Sequence, residues 1–154
     1  MELEVTTADL YMGLAFDRIR DVADRLGDVQ VNKRPPGPET NTVAQLITHC
    51  CGVSEFWLGH VGLGRPTVRD RDSEFTAIAT VAALHGLIDA ARHQVSVDLR
   101  AFDAGRTTTE HVIWRETLEG GDTSDAALVI HVLEELFQHL GHMELTVDAL
   151  LSTR

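Results

Sequence analysis

Apolar residues recur at helical spacing in four long segments of the chain. The first predicted helix covers residues 6–26, and Gly27 follows it as a stop signal. Its apolar side is predicted to consist of Leu10, Leu14, Ile19, Val22 and Leu26. Three prolines at positions 35, 36 and 38 then exclude a helix from the next segment.

The second predicted helix begins at an N-cap formed by Asn41 or Thr42, with Gln45 as a capping-box partner of Thr42. The Gly- and Pro-containing residues 62–66 end it. The third predicted helix begins at Asp72 or Ser73 and continues to about residue 100. Its predicted apolar side consists of Phe75, Ile78, Ala79, Ala82, Leu87, Ala90, Ala91 and Val95.

The fourth predicted helix begins at Thr123 or Ser124 and continues to about residue 151. Its apolar stripe consists of Val129, Leu133, Leu136, Leu140, Met143, Val147 and Leu150. Residues 101–122 lack helical periodicity, and the extended or turn segment 107–114 within them is closed by Gly120 and Gly121. The pattern predicts an all-α four-helix bundle in one domain, residues 1–154. A long connection precedes the last helix and is expected to cover a site.

Composition narrows the possible functions. The 154 residues include 13 Lys and Arg against 24 Asp and Glu, a formal charge of −11. This charge argues against binding to nucleic acid or anionic membranes, both of which require a basic surface. We expect a cytoplasmic protein, because there is neither a secretory signal nor a membrane-length apolar run, and the adjacent Cys50 and Cys51 form no disulfide framework.

A polar stripe on the fourth helix carries the candidate chemistry. With His131 set at zero, Glu135, His139 and His142 lie near about 40°, 80° and 20° on the helical wheel, so all four share one face. His49 lies on or near the apolar face of the second helix, where a buried imidazole needs a partner. A bundle can bring His49 to Glu135 and His139, as a three-ligand metal site with open positions or as a hydrogen-bond network without an ion.

Three segments carry a family resemblance: NTVAQLITH at 41–49, EFWL at 55–58 and the segment 131–142. Through them nearly the whole chain resembles the DinB-like superfamily of metal-binding four-helix bundles, which includes thiol-dependent S-transferases. The resemblance implies one metal ligand on the second helix and two ligands four residues apart on the last helix. The matching positions are His49, Glu135 and His139. A divalent Zn, Ni or Fe ion suits such ligands.

With a glutamate at position 135, the chain resembles the mycothiol-dependent maleylpyruvate isomerase branch of this family, in which two histidines and a glutamate hold the metal. That resemblance implies a low-molecular-weight thiol as co-substrate, with its sulfur bound to the metal as thiolate. Because this chain ends shortly after the fourth helix and lacks the extra C-terminal domain of that isomerase, the same substrate is not implied.

Four further residues have possible roles at the site. His142 is predicted to orient a ligand or face the substrate, with fourth ligand and general base as alternatives. Trp57 forms either a wall of the substrate pocket or part of the core. Arg65 and Arg69 either attract the carboxylates of a thiol cofactor or acidic substrate, or belong to a solvated loop.

The sequence leaves two main classes of function open, and a third class is less favoured. The first is an enzyme that activates a thiol at the metal for S-transfer to, or isomerisation of, a small electrophile. The second is a metal- or ligand-binding stress-response module without turnover. The third is an interaction bundle without a metal. Because helical bundles often pair through exposed apolar faces, we expect a homodimer.

Overall fold

A computed structural model describes residues 3–108, 110–118 and 121–152. The chain is helical in these ranges, and no β-strand occurs within them. The α-helices are α1 (Val5–Gln30), α2 (Val43–Ser54), α3 (Arg71–Glu74), α4 (Val81–Asp103), α5 (Val112–Arg115) and α6 (Asp125–Ser152), and a π-helical segment (Glu55–Gly62) continues α2. The all-α prediction is confirmed for the described part of the chain, which contains six α-helices instead of the predicted four. None of the helices in the described ranges is both long and apolar enough to cross a membrane.

The four long helices pack in a defined order. Helix α1 lies against α4 and α6, and α2 lies against the same two helices. Helices α1 and α4 are antiparallel, because Arg20 pairs with Asp89 at 2.6 Å while Ser96 donates to Asp9 at 2.6 Å. Both pairs connect α1 to α4 at the periphery of the interface between these helices.

Helix α2, with its π-helical continuation, is antiparallel to α6. The rings of His49 and His139 lie 4.8 Å apart between centroids, and those of Trp57 and His131 lie 4.7 Å apart. The predicted ligands of the second and last helices therefore meet at one interface.

The predicted apolar side of α1 is wrong in its N-terminal half. Leu10 and Leu14 are 69% and 39% exposed, whereas Met12 and Phe16 are fully buried. Two lines of apolar residues run along this half of the helix. Packing against α4 and α6 buries the line that contains Met12 and Phe16, whereas the spacing predicted the line that contains Leu10 and Leu14. The helix also continues past its predicted end to Gln30, with a kink at Gly27, where φ is +69°.

The predicted third helix is two helices. Helix α3 is capped by the Asp70 carboxylate, and α4 begins only after Thr80, whose side chain accepts a hydrogen bond from Ala83 N. Between them, the Asn32 side chain donates to Ala79 O and accepts from Ala79 N, at 2.8 and 3.0 Å. These bonds divert the backbone, because an amide side chain can replace helical partners. Ile78, which was predicted to be in the core, is 85% exposed.

The connection before α6 differs in detail from the prediction. Helix α4 continues to Asp103, and the single turn α5 overlaps the end of the stretch 107–114 that was predicted to be extended or turn. The buried Arg115 donates to Thr108 O and to the Asp125 carboxylate, which ties the connection to the start of α6. Ser124 Oγ accepts from Ala127 N, as an N-cap does. The predicted closing residue Gly120 lies outside the described residues.

Candidate metal centre

The first turn of α2 fixes the direction of the helix that carries His49. Thr42 Oγ1 accepts from Gln45 N at 3.1 Å, and Gln45 Oε1 accepts from Thr42 N at 2.9 Å, which forms the predicted capping box. The Gln45 amide also donates to Phe75 O at 2.6 Å. Helix α2 and the loop after α3 are therefore tied together one turn before His49.

His49, Glu135 and His139 form one cluster. Each residue offers a ligand atom, and these atoms lie within 4.8 Å of one another. Glu135 Oε2 lies 3.6 Å from His49 Nε2 and 3.2 Å from His139 Nε2. His49 is buried, and the other two residues are half-buried. Two imidazoles thus converge on a single carboxylate oxygen between α2 and α6.

The electrostatics of the cluster favour ionised Glu135. The adjacent imidazoles of His139 and then His49 hold the pKa of Glu135 well below its usual range, although burial opposes this. Burial lowers the pKa of His49, but contacts with Glu135 and Glu74 outweigh it and leave this pKa raised. The pocket therefore stabilises positive charge beside the carboxylate.

Sequence reasoning missed Glu74, which holds the other ring nitrogen of His49. Glu74 Oε2 lies 2.8 Å from His49 Nδ1, and both residues are buried. Arg69 donates to Glu74 Oε1 from Nε at 2.6 Å and to Oε2 from Nη2 at 3.0 Å. In the sequence, Glu74 falls in the first turn of the predicted third helix, where no spacing relates it to His49. The one available signal was that a buried imidazole needs a partner for each ring nitrogen.

The donor set of the cluster fits a divalent metal ion. Two imidazoles and one carboxylate are a ligand combination of catalytic zinc sites. Nδ1 of His139 is one of three buried side-chain nitrogens without a hydrogen-bond partner among the described residues. This nitrogen is not the one that faces Glu135, so the fit of the site depends on the donor set and on the convergence of the three ligand atoms.

The four further predicted residues lie around the cluster rather than in it. The Arg65 guanidinium makes two hydrogen bonds to the buried Asp98 carboxylate, at 2.7 and 2.8 Å. Trp57 contacts the ring of His131, whose Nε2 lies 3.7 Å from Glu135 Oε1.

His142 is exposed, and its ring centroid lies 6.3 Å from that of His139. Arg69, as described, is paired with Glu74. Contact of any of these four residues with a substrate stays a prediction.

The two cysteines lie next to His49 in the chain but are poor nucleophiles. Burial raises the pKa of Cys51 to about 12 and that of Cys50 well above its usual value. Both thiols therefore stay protonated near neutral pH, and only a thiolate attacks efficiently.

Fold and cluster together define a helical protein with a candidate His/Glu metal centre between two of its helices. The family model described as the DinB superfamily matches residues 13–143, and the chain therefore belongs to the DinB superfamily. The matched range contains His49, Glu74, Glu135 and His139. No curated protein and no solved structure matches the chain.

Proposed function

We propose that this protein binds one divalent transition-metal ion through His49, Glu135 and His139. The observation that carries the proposal is the convergence of three ligand atoms within 4.8 Å, two of them imidazole nitrogens. Three protein ligands leave coordination positions open, which is typical of catalytic rather than structural zinc sites. Zn, Ni and Fe all accept this set. We also propose that the four long helices correspond to the family's four-helix bundle.

The proposed activity is transfer of a low-molecular-weight thiol, mycothiol or a similar molecule, to a small electrophile, or isomerisation through such an adduct. A bound dication would lower the pKa of the thiol and supply the nucleophile at neutral pH. The chain's own thiols are buried and protonated, which supports a separate thiol cofactor.

Elemental analysis of tag-free protein tests the metal centre. We expect about one transition metal ion per chain in the wild type and a loss of that metal in His139→Ala, because the variant retains only two ligands. His85→Ala is the matched control, since His85 is a half-buried histidine on α4 outside the cluster. Absence of metal in both the wild type and His139→Ala, even after addition of Zn²⁺ or Ni²⁺ near neutral pH, would contradict the proposal.

A turnover assay tests the thiol reaction separately. The probe is 1-chloro-2,4-dinitrobenzene, in which the thiol sulfur forms a bond to carbon while chloride and a proton leave. We expect a metal-dependent rate with mycothiol, bacillithiol or glutathione that His139→Ala lacks. If no thiol gives a rate above that variant, the thiol-transfer proposal is wrong for this class of electrophile.

The alternative is a metal- or ligand-binding module without turnover. The half-buried state of Glu135 and His139 is compatible with a site that binds a ligand and releases it unchanged. A stoichiometric metal without any thiol-dependent rate would favour this alternative. Absence of metal would instead favour an interaction bundle in which the cluster is a hydrogen-bond network.

A further inference from the structure

We infer that Glu74 is a positioning residue: braced by Arg69 and given room by Gly52, it holds His49 with the proton on Nδ1 and the lone pair of Nε2 free. The inference deepens the proposed metal centre and rests on it for its effect on metal binding. Its effect on the imidazole itself does not depend on a metal.

The contact distances determine which nitrogen carries the proton. Glu74 Oε2 lies 2.8 Å from Nδ1, which is hydrogen-bond distance, whereas Glu135 Oε2 lies 3.6 Å from Nε2. A carboxylate can only accept, so the nitrogen in the shorter contact donates. A neutral His49 ring therefore presents an unprotonated Nε2 toward Glu135. Metal-binding histidines commonly donate their other nitrogen to a carboxylate in this way.

Arg69 keeps the Glu74 carboxylate in place. Its two donors reach both carboxylate oxygens, and its guanidinium also lies 5.3 Å from the centroid of the Phe56 ring. Glu74 and Arg69 line an open groove of about 550 Å³ between α2 and α4, whose lining does not include the three cluster residues. The two Arg69 donors favour the ionised form of the Glu74 carboxylate.

Gly52 provides the space for this carboxylate. It lies three residues after His49, on the neighbouring part of the same helical face. A Cβ atom at this position would overlap Glu74 Oε1 and lie 3.2 Å from Arg69 Nε. Glycine is unfavourable inside a helix, so its presence here has a packing reason. Any side chain would push the carboxylate away from His49.

A purely structural salt bridge is the competing explanation. In that case the Arg69–Glu74 pair only fastens the loop after the π-helical segment to α3. Loss of the pair would then lower the unfolding temperature without changing the proton position on His49 or the metal affinity. These two readouts separate the explanations.

The first measurement is ¹⁵N NMR of the histidine rings in chelator-treated, metal-free protein, at a pH where His49 is neutral. The His49 signals are assigned by their absence in His49→Gln. We expect the Nδ1–H form in the wild type. Glu74→Gln should lose this preference, because its amide has only one acceptor oxygen for His49 Nδ1 and the two Arg69 donors. Gly52→Ala should lose it because the new side chain displaces the Glu74 carboxylate. Gly86→Ala is the control, since nothing lies within 4 Å of its Cβ.

The second measurement is Zn²⁺ affinity for the same four proteins, after circular dichroism has verified folding. Loss of such a partner weakens metal binding about 10–100-fold, and we expect this in Glu74→Gln and Gly52→Ala but not in Gly86→Ala. An Nε2–H form in the wild type would overturn the inference without any variant. So would wild-type tautomer and affinity in both Gly52→Ala and Glu74→Gln.

Failure of the proposed metal centre can be distinguished from failure of this inference about Glu74. If the wild type binds no zinc, the proposed function fails, and the tautomer of metal-free His49 still decides whether Glu74 positions the ring.

Discussion

Arg65 and Arg69 both bind buried carboxylates, and each pair fastens the loop after the π-helical segment to a helix. Arg65 reaches Asp98 on α4, and Arg69 reaches Glu74 at the end of α3. From the sequence, these two residues were interpreted either as contacts for the carboxylates of a ligand or as part of a solvated loop. Their guanidinium groups are already engaged in charge-assisted hydrogen bonds, which are stronger than neutral ones.

Removal of Arg65 should destabilise the fold. Asp98 is 1% exposed, and Arg65→Ala leaves its carboxylate without its bidentate partner. Breaking a buried pair costs about 3–5 kcal/mol, and partial exposure of Arg65 places the expected loss near the lower limit. Urea unfolding measures it. Arg18→Ala, at an exposed site on α1, should change stability by less than about 0.5 kcal/mol. Equal effects of the two substitutions would refute a structural role for Arg65.

Acid should destabilise the metal-free protein through Glu135. Its pKa in the folded state lies below the ordinary value of 4.5, so its stabilising contribution is complete above that pH. The contribution is lost as the pH falls from 4.5 toward the folded pKa. Glu135→Gln should therefore show a smaller loss of unfolding free energy between about pH 5 and 3. Denaturant unfolding with chelator present checks this. Glu134→Gln, its exposed neighbour, should keep the wild-type dependence.

At the level of elements, local signals predicted some helix ends and failed at others. The capping box of Thr42 and Gln45 and the start of α6 after Ser124 were predictable, because neighbouring residues form these caps. The break between α3 and α4 was not, because Asn32 makes it from 47 residues away. This break places Glu74 beside His49.

The buried face of α1 can be tested with two substitutions. Met12 is fully buried, and Leu10, half a turn away, is mostly exposed. Met12→Ala should cost about 2–5 kcal/mol through lost burial and the remaining cavity. Leu10→Ala should cost less than about 0.5 kcal/mol. Thermal or denaturant unfolding of both variants checks the face. The reverse order would restore the face that the sequence pattern predicted.

At the level of the whole molecule, metal binding and folding are linked. A ligand that binds only the folded protein adds about 2.7 kcal/mol of stability at a concentration 100 times its Kd. Zn²⁺ should therefore raise the Tm of chelator-treated wild type and leave that of His139→Ala unchanged. Differential scanning calorimetry at fixed protein concentration measures both. An equal rise in the variant would place the zinc outside the cluster.

The exposed line on α1 that the core leaves free is a candidate dimer surface. Leu10, Tyr11 and Leu14 are all exposed on this helix. We propose a homodimer through this line, because exposed apolar helix faces are often covered by a second copy. Light scattering should show a dimer that Leu10→Glu with Leu14→Glu converts to a monomer. Val29→Glu, at the other end of α1, should stay dimeric. A monomeric wild type would contradict the proposal.

The sequence by itself determined the helical class, most helix positions and the residues of the candidate cluster. Helical periodicity and caps depend on neighbouring residues, and the four-residue spacing places Glu135 and His139 on one face. Only the tertiary structure decided the packed face of α1, the division between α3 and α4, and the Glu74–Arg69 pair on His49. Each depends on contacts between residues distant in the chain, which local spacing does not encode.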